Sequence, residues 1–279
     1  MLKILFVGSK NMGYSALNTL IYFQSQYLIE LIGVIARADD EEKHWYCSVS
    51  KLAQKHGLNL FKPDSLTDEG FLHQMQQLDF DLGICCFYPK LFKHSFYSVA
   101  RQGFINLHFA PLPKYRGALP IPHAIMNDEK EHGVTIHKID SGMDSGDIVS
   151  QKLVPIYSND TGFDLYSRCE IVGQILFHET LQMMVNSGLI PPSRKQDENA
   201  VISYVRKDLK SKEINPNWNF LKLYNFVRAL DFPTFELPYV VQNDINISLS
   251  TRPERHKDSY NIEPSIYAEL NSQIIWRMG

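Results

Sequence analysis

Short apolar runs alternate with helical patterns along the first part of the chain, and this alternation leaves few folds open. Residues 2–7 (LKILFV) form a compact apolar run closed by Gly8, Ser9 and Lys10, and residues 15–24 follow with Leu17, Leu20, Ile21 and Phe23 at helical spacing. A second buried strand is expected over 28–35, a short helix over 49–56, a strand over 58–61, a helix over 66–78 and a central strand over 81–87. Repeated strand, helix, strand units specify an α/β fold with a Rossmann-like, mostly parallel sheet flanked by helices.

The pattern resumes with a strand over 103–109, a short helix over 121–127 and strands over 133–139 and 147–155, the last two paired like a hairpin across the loop 140–146. Residues 165–187 give the longest helical pattern, stopped by Gly188. Pro191 and Pro192 open a composition break, and the boundary is placed at Asn199, giving a domain over 1–199 and a small C-terminal α+β appendage over 200–279. In the appendage a helix is expected over 218–231 and short strands over 239–241 and 245–249, before a polar, proline-broken stretch over 251–264.

Composition narrows the functional classes. With 44% hydrophobic and 21% charged residues over 279 positions, the chain has the make-up of a folded globular protein. A net charge of −3, with basic residues scattered, supplies no field to attract nucleic acid. Cys47, Cys85, Cys86 and Cys169 lack CxxC spacing and read as free thiols, and no apolar segment reaches the roughly 20 residues that span a bilayer, so a soluble, cytoplasmic protein is expected.

The chemistry-bearing groups concentrate in residues 105–117 (INLHFAPLPKYRG) and 139–148 (IDSGMDSGDI). Asn106 and His108 are two apart on a strand, so both side chains lie on one face and can aim at one point. An imidazole can exchange a proton near neutral pH, an amide can donate to a developing oxyanion, and a carboxylate such as Asp144 can hold the imidazole. A hydrogen-bonded core histidine above a proline-shaped turn accounts for His108 equally well on these residues alone. Asp144 and Asp147 singly read as loop and cap residues. The stretch GSKNMG over 8–13 lacks GxGxxG spacing and does not indicate NAD, and no ligand spacing indicates a metal.

Together the two segments resemble the signature of the folate-dependent formyltransferase family, and residues 116–148 follow that family's pattern almost continuously. The resemblance covers roughly residues 1 to 240. It implies N10-formyltetrahydrofolate as the formyl donor, no metal, and an Asn-His-Asp triad at Asn106, His108 and Asp144. It also implies folate contacts from Phe87, Tyr88, Leu91 and Asp140, and substrate contacts from Arg116, Lys10, Phe235 and Tyr239.

Family members formylate methionyl-tRNA, glycinamide ribonucleotide or nucleotide-linked amino sugars. The tRNA enzymes resemble one another in a basic insertion after the second strand, whereas this chain has the acidic ARADDEEKHWY over 36–46. Residues 227–240 (VRALDFPTFELPYV) resemble a segment of sugar N-formyltransferases. The expected reaction is therefore formylation of a dTDP-, UDP- or GDP-linked amino deoxysugar, giving a formamido sugar for surface polysaccharide such as O-antigen. Methionyl-tRNA formylation and a non-catalytic ligand-binding relative stand as alternatives, and homodimerisation is the family's expectation.

Overall fold

A computed structural model describes the chain except for residues 42–45, 216, 234, 243–244, 252–265, 271–272 and 279. Part of the expected acidic loop (42–45) and most of the proline-broken stretch (252–264) thus lie outside the described residues. Two compact units form, one from Met1–Arg116, Gly133–Lys152 and Glu170–Val201, the other from Gly117–His132, Leu153–Cys169 and Ile202–Gly279.

In the first unit, β1 (Leu2–Gly8), α1 (Lys10–Ser25), β2 (Ile29–Ile35), α2 (Val49–Lys55), β3 (Leu60–Phe61), α3 (Glu69–Gln77), β4 (Leu82–Cys86), α4 (His94–Tyr97) and β5 (Phe104–His108) follow in order. After β6 (Arg116–Gly117) and α5 (Pro120–Met126) come β7 (Glu131–Lys138), β8 (Ile148–Pro155) and α6 (Gly162–Ser187). The sheet order is β3-β2-β1-β4-β5-β7-β8. β1 is parallel to β2 and β4, β3 to β2, and β5 to β4, while β7 runs antiparallel to β5. This is the expected mostly parallel α/β sheet flanked by helices.

Residues 4–7 of β1 and all of β4 are buried, so both faces of these strands are covered, as crossover helices require. One core layer gathers Leu5, Val7, Ile35, Cys85, Phe96 and Phe104. Gly83 sits opposite Phe104, and a Cβ at this glycine would meet that ring at 2.0 Å, which explains a glycine inside a central strand. Helix α1 begins five residues before its apolar pattern does. Its N-cap Ser9 gives no capping bond because its hydroxyl donates to the Phe87 carbonyl and its N–H to that of Cys86.

The second unit contains α5 and, after β9 (Ser203–Tyr204), α7 (Phe220–Leu230), followed by β10 (Tyr239–Gln242), β11 (Ile245–Ser250), β12 (Ile266–Leu270) and β13 (Gln273–Met278). These last four pair antiparallel in chain order. Tyr224, Val227 and Leu230 of α7 pack with Leu249, and Phe235 is packed against this cluster. Arg228 is buried and donates to Asn225 and to the carbonyls of Tyr157 and Asp160.

His123 on α5 is 6% exposed and stacks flat on Tyr204, with ring centroids 3.7 Å apart, while its Nε2 has no hydrogen-bond partner. Burial lowers its pKa below the ordinary 6.5, opposed by the charge of Asp208. The unfolded chain then binds more protons than the folded one just below pH 6.5, so this group withdraws stability as the pH falls from there. Replacing His123 with Phe, which keeps the stacking partner, should flatten the decline in melting temperature between neutral and mildly acidic pH. An unchanged decline would show that His123 does not contribute to it.

Candidate active site

The order of the parallel strands reverses between β1 and β4, since β2 and β3 lie on one side of β1 and β4 and β5 on the other. Ligands of open α/β sheets bind at the carboxyl ends of the strands beside such a reversal. The registers Gly8↔Cys86 and Cys86↔Leu107 bring the ends of β1, β4 and β5 level there. Asn106 and His108 occupy the last turn of the pleat on β5.

Across the antiparallel β5 and β7 pair, Asn106 faces His137 and His108 faces Thr135, so these four polar side chains share one face. His137 Nδ1 lies 2.8 Å from the carbonyl oxygen of Lys138, which can only accept, so Nδ1 carries the proton. Nε2 of the neutral ring then accepts from Asn106 Nδ2 at 3.1 Å, leaving the amide a second N–H for an incoming oxygen. Thr135 donates to Ala110 and accepts from the N–H of Leu112 and from Gln151, holding the chain that leaves His108.

His108 Nε2 is 3.2 Å from the Tyr115 carbonyl, and its Nδ1 is 3.8 Å from Asp144 Oδ2. Both neighbours are acceptors, so a neutral ring serves one of them and an imidazolium serves both. The other carboxylate oxygen of Asp144 lies 3.4 Å from His137 Nε2, so the aspartate sits between two imidazoles and attracts the second only when that ring is protonated. Burial pushes the Cys85 thiol up to about 12, opposed by the Tyr88 N–H and reinforced by the Asp144 charge. All four cysteines are free.

Asp144 adopts a left-handed φ of 52°, a conformation that Asp tolerates better than most residues. Its loop is shaped by Asp140, whose carboxylate accepts from the Gly142 N–H and the Ser145 hydroxyl. A Cβ at Gly146 would lie 1.9 Å from the Lys138 carbonyl oxygen, so the loop closes against β7 only with glycine there.

The remaining candidates are distributed as follows. Phe87 follows β4 with φ 60° and its ring meets Phe109 edge-on at 4.6 Å. Tyr88 is buried, which pushes its hydroxyl up to about 12, with Cys85 adding to the effect. Leu91 is exposed, and Lys10 opens α1. Arg116 is buried, with Nε donating to Gln196 and the terminal nitrogens to both oxygens of Glu198. Phe235 and Tyr239 lie in the second unit, Phe235 under Lys212 and Tyr239 on β10.

His137, Thr135 and Gln196 went unread in the sequence. The first two carry the same two-residue period as Asn106 and His108, in GVTIHKI, and that shared period is the signal. Among the described residues no cluster of three or more His, Cys, Asp or Glu side chains could hold a metal ion, and no helix is long and apolar enough to cross a membrane.

Residues 2–181 match the formyl transferase family. The chain belongs to that family. A methionyl-tRNA formyltransferase of Thermodesulfovibrio yellowstonii is 35% identical over 181 residues, covering 65% of this chain and 58% of the relative's own length. Among solved structures, an N-formyltransferase from Helicobacter canadensis in complex with folinic acid and dTDP-3-aminofucose superposes with a TM-score of 0.74 at 23% identity, covering 98% of this chain and 97% of that one. A sugar 3N-formyl transferase, WlaRD, in the presence of dTDP and 5-N-formyl-THF superposes at 0.72 with 24% identity, over 98% and 96% of the two chains. At these identities the superpositions establish a common fold.

Replacing Gly146 with Ala forces the 140–146 loop away from β7. Formyl transfer should fall on the order of 100-fold, the cost typical of a displacement of about 1 Å near a reacting centre. Full turnover by the alanine variant would mean that the loop's placement does not matter.

Proposed function

We propose that the chain transfers the formyl group of N10-formyltetrahydrofolate to the primary amine of a nucleotide-linked amino deoxysugar, with Asn106, His108 and Asp144 carrying the reaction. The observation that carries this reading is the convergence of one amide, two imidazoles and one carboxylate at the end of β5. The unprotonated amine attacks the formyl carbon, and the carbonyl π electrons move to oxygen. His108, neutral at the outset, takes the proton of the attacking amine, and Asp144 stabilises the imidazolium so formed. That imidazolium and Asn106 Nδ2–H donate to the oxyanion, and as the tetrahedral intermediate collapses and the bond to N10 breaks, His108 returns the proton to N10. Tetrahydrofolate and a formamide result.

The ends of β1 and β4 would receive the folate, with Phe87, Tyr88 and Leu91 beside the pterin and Asp140 fixing the loop on its other side. Lys10, which opens α1 beside those strand ends, is assigned to the amine substrate. A sugar nucleotide is favoured by the near-complete mutual coverage with the H. canadensis protein, whose complex contains dTDP-3-aminofucose.

Methionyl-tRNA is the second reading, favoured by the name of the T. yellowstonii relative. The acidic segment argues against it less strongly than its composition does. Asp39 is paired with Arg37, and Asp40 is buried, accepting from Ser48 and Ser50.

Incubation with N10-formyltetrahydrofolate and a panel of dTDP-, UDP- and GDP-linked amino deoxysugars should give one formamido product, and His108→Asn should reduce its rate by about 10²–10⁴-fold. Formylation of charged initiator tRNA with no sugar product would overturn the substrate assignment. An unimpaired asparagine variant would overturn the mechanism.

A further inference from the structure

Asp144 lies 3.8 Å from His108 and 3.4 Å from His137. The backbone that carries it is held from behind. The chain after α6 runs antiparallel beside the start of β8, with Arg194 and Ile148 exchanging both backbone hydrogen bonds. Two residues further on, Gln196 comes level with Gly146. Its Nε2 donates to the carbonyl oxygens of Asp144 at 2.8 Å and Gly146 at 2.7 Å. Its Oε1 accepts from Arg116 Nε at 3.0 Å.

These partners leave one orientation for the amide. Two carbonyls demand donors on one side and a guanidinium demands an acceptor on the other. Both N–H groups of Gln196 are spent on the aspartate's loop, and the residue is buried at 8% exposure. Arg116 is in turn clamped by Glu198, and that guanidinium holds the Glu198 carboxyl below the usual carboxylate range.

We propose that Gln196 is the positioning residue for Asp144, setting the carboxylate between His108 and His137 by clamping its loop from behind, with Arg116 and Glu198 as the anchor. Arg116 thereby serves the loop of Asp144, with Nε and both terminal nitrogens engaged by Gln196 and Glu198. The inference rests on the reading of Asp144 as a catalytic group. It extends that reading to a residue outside the 2–181 family match.

Gln196→Met keeps the length of the side chain and removes both donors. Hydrogen exchange of residues 141–147, read by mass spectrometry, should speed up in this variant while β1 and β4 stay as protected as before. With N10-formyltetrahydrofolate and the amino sugar panel, kcat should fall on the order of 100-fold with little change in KM for the folate. In an Asp144→Asn background the same replacement should have almost no further effect, because a group acting through Asp144 has nothing left to position. Glu198→Gln, which weakens only the anchor, should give a smaller loss of the same kind and serves if the methionine variant folds poorly. Unchanged exchange in the loop, unchanged kcat, or losses that multiply with Asp144→Asn would each overturn the proposal while leaving the role of Asp144 intact. Full activity of Asp144→Asn alone would overturn both.

Discussion

The register of β5 is the constraint on which the rest of the site depends. β5 is held parallel to β4 on one edge and antiparallel to β7 on the other, with Asn106 opposite His137. Side chains alternate faces with a strict period of two, so a slip of one residue would send the imidazole of His137 to the opposite face. The correct register delivers an amide and two imidazoles to one face at the end of a buried sheet. No loop has to find that arrangement by itself.

The carboxylate reaches the cluster by a different route. Asp144 comes from the loop between β7 and β8, where a strand cannot dictate direction, and three independent supports replace the ladder. Asp140 closes the first half of the loop, Gly146 lets it press against the Lys138 carbonyl, and Gln196 grips two of its carbonyls. Arg116 stands behind Gln196 as a buried cation paired with a more exposed Glu198. With its acid largely in solvent such a pair adds little net stability, while the buried Arg116 guanidinium is costly to leave without partners. That combination suits a part whose purpose is placement.

The sequence made the sheet legible because β4 and residues 4–7 of β1 are buried on both faces and read as apolar runs, and β2 departs from that pattern only at the exposed Glu30. Asn106 and His108 were legible as a pair from spacing, and Asp144 joined them through the resemblance carried by residues 105–117 and 139–148. His137 was hidden because a histidine within a strand pattern reads as a core residue until its neighbour across the ladder is known. Gln196 was hidden for a stronger reason: it meets Asp144 only through a bridge between segments some fifty residues apart. The start of α1 was missed because Ser9 spends its hydroxyl on Phe87 instead of on its own helix. In the C-terminal part, β12 and β13 follow a polar stretch, and only the alternation on either side of Asn271 and Ser272 marks them. The partners that Arg116 makes in the fold, Gln196 and Glu198, lie about eighty residues away, and nothing in residues 105–117 marks them.

A crystal structure of the protein with folinic acid, a stable formyl folate, tests the central claim most directly. The pterin should lie across the carboxyl ends of β1 and β4, with N10 turned toward Asn106 and His108 so that the oxygen of a formyl group carried on N10 would come within about 2.7–3.1 Å of Asn106 Nδ2 and the His108 ring. A folate bound elsewhere, or bound at this crevice with its one-carbon end turned away from Asn106 and His108, would contradict the assignment of that cluster as the reaction centre.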